Sequence, residues 1–111
     1  MESEKLPSFT IKHWAEGDRP REKLLQKGRE FLSDAELLAI LIGSGNRNES
    51  AVEVSKKVLS KAGDNLNELG KFSVKQLMEV RSIGEARALT IVAAMELGRR
   101  RRSSEALEKK K

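Results

Sequence analysis

The stretch from Leu32 to Gly43, LSDAELLAILIG, sets the tightest limit on how this chain folds. Ser33 followed three residues later by Glu36 is a capping box, in which two orphan donors at a helix start are satisfied reciprocally. Leu37 through Ile42 are then apolar at every position. A helix that is apolar all round is buried all round, so this segment is expected at the centre of the fold. Gly43-Ser44-Gly45 ends it. A second start of the same kind stands at Ser73 with Gln76, opening a helix whose Val74, Leu77 and Met78 are expected to face inward. No segment alternates apolar and polar residues between hairpin turn signals. The expectation is an all-α chain, a compact bundle of about five helices.

The other helices follow from their stops and stripes. Arg19-Pro20-Arg21 suits a first turn, because the N–H that proline lacks needs no partner there. Leu24 and Leu25 give that helix a short apolar face, and Gly28 ends it. A third helix runs from about Ser50 to Ala62, with Ala51, Val54, Val58, Leu59 and Ala62 on one stripe and Gly63 as the stop. Asn65 to Leu69 suffices for one short turn. A last helix is expected from about Glu85 to Arg100, with Ala86, Leu89, Ala93 and Leu97 sharing a buried face widened by Ile91, Val92 and Met95. Residues 1–19 read as an arm pinned to the core by Phe9, Ile11 and Trp14. Residues 20–102 read as the helical domain, and 103–111 as a basic linker or tail. The two segments LLAILIGSGNRNESAVEVSKKVL and QLMEVRSIGEARALTIVAAMEL echo each other as apolar helix, glycine-bearing corner and apolar helix. They read as two related hairpins about a pseudo-two-fold axis.

Composition narrows the chemistry. The 111 residues include no cysteine and one histidine, His13, in the arm. Thiolate metal sites and disulfides are therefore excluded, and the common zinc sites, which need several ligands, cannot be assembled. No G-x-S-x-G accompanies the lone histidine. The chain is expected to be non-enzymatic, without metal or cofactor. It has no run of eighteen apolar residues, hence no membrane span, and a cytoplasmic location is expected. Residues 99–111 hold seven basic and two acidic side chains, whereas the other 98 hold fifteen of each, so the net charge of +5 belongs to the tail. Any binding of nucleic acid by the folded part must then come from local geometry.

The corner Arg81-Ser82-Ile83-Gly84 offers such geometry. The helix it opens begins with backbone N–H groups that lack intrahelical partners and lie at the positive end of the helix dipole. A phosphate there accepts hydrogen bonds, and glycine lets it approach. Ile83 would plug inward, Gly84, Glu85 and Ala86 would offer amides, and Arg81 and Arg87 would reach neighbouring phosphates. Such a contact positions a backbone and reads no bases. The Gly43-Ser44-Gly45-Asn46-Arg47 loop is a second candidate, open equally to being a flexible glycine-stopped loop; it is not a Walker loop. Arg99, Arg100, Arg101 and Arg102 form the densest charge run and suit a salt-sensitive, non-specific attraction to DNA, duplex or branched.

The segment from Val80 to Ala88, VRSIGEARA, resembles a helix-hairpin-helix motif, and the resemblance extends upstream. RPREKLL, LSDAELLAILI with the two following glycines, and the terminal hairpin occur in the order seen in the RadC (UPF0758-type) family of bacterial proteins, long labelled DNA repair proteins. The likeness covers about residues 11–102. It implies an N-terminal helical domain joined in the parent chain to a domain resembling the JAB1/MPN metallopeptidases, with a His-x-His and a downstream Asp for zinc. No position here matches those ligands. Two features depart from the motif: Ser82 stands at its first glycine, and Glu85 places a carboxylate where a phosphate would lie. The resemblance implies DNA binding in a repair-associated protein; the alternative is a docking domain whose hairpin is only structural.

Overall fold

The computed structural model describes residues 19–110, and they contain helices and no strand. The all-α expectation therefore holds. The arm residues Phe9, Ile11, His13 and Trp14 lie outside the described residues. The chain divides into two compact units, Met1–Lys57 and Val58–Lys111.

In the first unit, helix α1 occupies residues 19–27 and is followed at Gly28 by a short 3-10 turn, Arg29–Phe31. Pro20 is buried, but Leu25 is exposed, so α1 has less of an apolar face than its sequence suggests. Helix α2, Asp34–Ile42, starts with the expected capping box: Ser33 Oγ accepts from the Glu36 amide at 3.1 Å, and Glu36 accepts from the Ser33 amide at 2.8 Å. The all-round burial expected of α2 is not observed. Ala35, Leu38, Ala39 and Ile42 are buried, while Leu37 and Leu41 lie on the exposed side. The buried set repeats at three and four residues, which is one face of an ordinary amphipathic helix. An apolar run thus reports a helix without reporting how many of its sides are covered. Helix α3, Ala51–Lys61, crosses from one unit to the next, and every residue of its expected stripe is buried.

The second unit begins with the end of α3. The Asp64 amide donates to Leu59 O at 2.8 Å and the Gly63 amide to Ser60 O at 2.9 Å. This is a Schellman motif with Gly63 at the left-handed position, φ +67°. Helix α4, Leu66–Leu69, is one turn capped by Asn65, and α5, Val74–Met78, opens with the Ser73–Gln76 capping box. Leu69 and Leu77 are fully buried; Met78, expected to face inward, is exposed. Helix α6, Glu85–Lys110, packs against α5 and runs ten residues past the expected end at Arg100. Its buried residues are Ala88 and Ile91. The face expected to be buried is the open one: Leu89 is 53% and Leu97 68% exposed, and Ala86 and Ala93 are exposed with them. Because α6 carries apolar residues on several sides, composition did not single out the covered side.

Candidate functional site

The corner between α5 and α6 is a compact turn. The Val80 amide donates to Leu77 O and the Ile83 amide to Val80 O, each at 3.0 Å. Val80 is buried, and Ile83, at 3% exposure, plugs inward as its position suggests. Ser82 has φ +80°. The residue at the motif's first glycine thus adopts a backbone conformation that glycine takes freely and serine does at a cost of roughly 1 kcal/mol. Gly84 is exposed, and a Cβ built on it would meet no atom within 4 Å. Its carbonyl accepts the Ala88 amide at 3.0 Å, making it the boundary residue of α6. Among the described residues, the amides of Gly84, Glu85 and Ala86 make no hydrogen bond. Arg81 is exposed. Arg87 is half-buried and turned onto the corner, its Nη1 donating to Ser82 O at 2.9 Å.

The Gly43–Arg47 loop is closed on itself. Asn46 Oδ1 accepts the amides of Asn48 and Glu49 at 2.7 and 2.8 Å, and the Asn46 amide donates to Glu49 O at 2.8 Å. At the start of α3, the Ser50 amide donates to Glu53 Oε1 and the Glu53 amide to Ser50 Oγ. Several amides that an anion would use are thereby engaged internally. Glu49 forms an ion pair with Lys57. Gly45 is required by contact: a Cβ there would drive into the Glu49 carbonyl oxygen and lie 2.8 Å from Ala51 N. Arg47 is exposed. The Ser50–Glu53 box is legible in Ser-Ala-Val-Glu, whereas the Asn46 turn has no comparable sequence signal.

Arg99, Arg100, Arg101 and Arg102 all lie on α6, whose geometry puts Arg99 about 22 Å from Gly84 at about 1.5 Å per residue. They are neighbours of the hairpin by helix, not by contact. Glu96 accepts from Arg99 Nη2 and from Arg100 Nε, both at 2.9 Å. These hydrogen bonds, Arg99's first, hold the Glu96 carboxyl down to about 2. Two of the four arginines are thus partly neutralised within their own helix. Arg101 and Arg102 form no ion pair among the described residues. Also among the described residues, no group of three or more His, Cys, Asp or Glu is placed to hold a metal ion, and no helix is long and apolar enough to cross a membrane.

An exposed helix start behind a plugged corner, with arginines before it and along its helix, defines a helical hairpin module with a cationic stem. A family model, UPF0758 N-terminal, matches residues 11–89. A UPF0758 protein of Flavobacterium johnsoniae is 61% identical over 103 residues, covering 93% of this chain and 44% of its own length. UPF0758 proteins of Porphyromonas gingivalis and Coprothermobacter proteolyticus are 47% and 40% identical, each over 98 residues, covering 87% and 88% of this chain and 43% and 41% of their own lengths. The chain belongs to the UPF0758 family, as the RadC resemblance implied. It spans less than half the length of these relatives. No solved structure matches it.

Proposed function

We propose that this chain is a non-enzymatic DNA-binding module of a RadC-like, repair-associated protein, contacting backbone phosphates without sequence preference. In the parent chain it would precede the zinc metallopeptidase-like domain that the resemblance implies. The observation that carries the reading is the α6 start: three amides, Gly84 to Ala86, make no hydrogen bond among the described residues, and Gly84 itself has open space beside it, with no atom within 4 Å of where a Cβ would stand. Amides so arranged at the positive end of a long helix favour a phosphate. Arg81 lies beside that approach in sequence, and Arg101 and Arg102 extend the positive charge along the same helix. The Gly43–Arg47 loop, whose amides are largely engaged, contributes at most through Arg47.

The test is fluorescence anisotropy of labelled duplex and branched DNA at low and moderate salt. The expected affinity falls as salt rises, with a log–log slope of about −0.9 for each phosphate neutralised. Gly84→Val and Arg81→Ala should each weaken binding while leaving the melting curve nearly in place. Absence of binding at low salt refutes the reading. So does binding that survives both substitutions and disappears only when Arg101 and Arg102 are replaced, because that leaves attraction to the tail alone.

A further inference from the structure

A second feature of the Val58–Lys111 unit lies away from the hairpin corner. Between α4 and the middle of α6 runs an open groove of about 590 Å³. Leu66, 44% exposed, forms one wall, and Met95 and Ala94 form the other. Gly70 and Gly98 keep it open. A Cβ at Gly98 would meet nothing within 4 Å, and one at Gly70 would touch Met95 Cε at 3.5 Å. A volume of this size accepts a few apolar side chains.

The rim has the opposite character. Lys71, Arg99 and Arg102 border the groove against a single carboxylate, Glu96. Lys71 pairs with Glu68 at 3.2 Å and Arg99 with Glu96 at 2.9 Å. Both are exposed intrahelical or near-helical pairs, of the kind that contributes little and exchanges partners readily. An incoming carboxylate therefore finds Arg102 outside any ion pair among the described residues, and Lys71 and Arg99 held only in exposed pairs. The geometry points to a docking site for an acidic, amphipathic segment of a partner protein, which seats apolar side chains between Leu66 and Met95 and sets its carboxylates against Lys71, Arg99 and Arg102. The lining bears on the choice of occupant. A nucleic-acid backbone would satisfy the rim but has no apolar knob for the floor, whereas a helix with apolar residues at i, i+3 or i+4, and i+7 fills one and reaches the other. The groove is walled along α6 from Ala94 to Ser103, about 14 Å at the helical rise, so it holds about two turns of such a helix.

The experiment is a titration of the whole isotope-labelled chain, followed by amide and methyl NMR. The probe is a synthetic helical peptide with leucines at i, i+4 and i+7 and glutamates flanking them. Shift changes are expected at Leu66, Gly70, Ala94, Met95 and Gly98, with affinity that weakens as salt rises. Replacing the peptide's glutamates by lysines should abolish them. Gly98→Leu, which fills open space without touching the core, should weaken peptide binding about ten-fold or more by occluding the floor. Arg102→Glu should weaken it while leaving the apolar contacts in place. Four results of the peptide titration overturn the inference, and a fifth comes from DNA. One is shift changes elsewhere or none, and another is binding indifferent to Gly98→Leu. A third is equal binding of the lysine peptide. The last is concentration-dependent shifts at these residues without peptide, lost in Gly98→Leu, which would make the occupant a second copy of this chain. Duplex DNA added in place of peptide should leave the Leu66 and Met95 methyl signals unmoved; if DNA alone moves them, the groove is a nucleic-acid surface and the docking assignment fails. The hairpin variants Gly84→Val and Arg81→Ala should leave peptide binding unchanged, which separates this outcome from that of the DNA reading.

Discussion

Gly45 separates two accounts of the same glycine. In sequence it belongs to a glycine-rich loop suited to an anion, and replacing it would then cost binding and little else. In the structure the loop backbone passes so close that an added Cβ would drive into the Glu49 carbonyl oxygen, with Ser50 C at 2.5 Å and Ala51 N at 2.8 Å. All three are main-chain atoms, so no rotamer relieves the overlap. Gly45→Ala must displace the segment that the Asn46 turn closes. The bonds at risk are those from Asn48 and Glu49 to Asn46 Oδ1 and from Asn46 to Glu49 O. At about 0.5–1.5 kcal/mol each, and toward the lower end because the loop is exposed, they sum to about 2–3 kcal/mol. For a domain of this size that is a fall in Tm of about 10–20 °C. Thermal unfolding followed by far-UV circular dichroism reads it directly, with Gly98→Ala as a comparison. Gly98 lies within α6 with open space around it, so its replacement should stabilise by up to about 1 kcal/mol. If Gly45→Ala melts within a few degrees of the parent chain, the closed loop does not hold Gly45 by contact, and the reasoning fails.

Ser82→Gly should raise Tm, by relieving roughly 1 kcal/mol of left-handed strain less the added chain entropy of glycine; a fall would show that the serine hydroxyl contributes more than its backbone costs. Ser55 is fully buried in α3 and its hydroxyl has no hydrogen-bond partner among the described residues, so Ser55→Ala should be neutral or stabilising by about 1 kcal/mol in chemical denaturation, the cost of an unsatisfied buried group being removed. Acid should loosen the arginine end of α6. Glu96 sits near 2 in the folded chain against an ordinary 4.5, so the stabilisation it brings is complete above that ordinary value and is lost as pH falls toward 2. A helical signal that declines over that window, and less so in Glu96→Gln, is the check. Arg81→Ala and Arg87→Ala should differ in kind: loss of Arg81 should reduce the salt slope of DNA binding by about 1 without moving Tm, and loss of Arg87 should lower Tm because it frees Ser82 O.

What the sequence revealed is what local rules govern. Ser33 with Glu36 and Ser73 with Gln76 each announced a helix start that the structure contains, and Gly63 announced a stop. These signals depend on neighbours three to five residues away, so no knowledge of the fold is needed to read them. The face of a helix that ends up covered depends on what packs there. For α3 the apolar residues lie on one stripe and the face was evident. For α6 they lie on several sides, and Ala88 and Ile91 proved to be the covered pair while Leu89 and Leu97 were left open.

The same distinction governs the candidate site. That Ile83 would be a plug followed from its place between two polar or glycine positions, and it is buried. That Arg87 would turn inward did not, because the direction of a guanidinium in the first turn of α6 is decided by whether a carbonyl lies within reach. Ser82 supplies one. Its φ of +80° orients the peptide whose oxygen accepts Arg87 Nη1 at 2.9 Å, so the strained residue and the half-buried arginine form one device. Strain of this kind persists only where surrounding contacts over-determine it, and here the contacts are Val80 and Ile83 beneath the corner and Arg87 across it. The corner is therefore held in shape by its own contacts, so the phosphate contact proposed for the amides of Gly84, Glu85 and Ala86 would carry no further ordering cost. Arg81, exposed and outside this device, is left as the corner's solvent-facing cation.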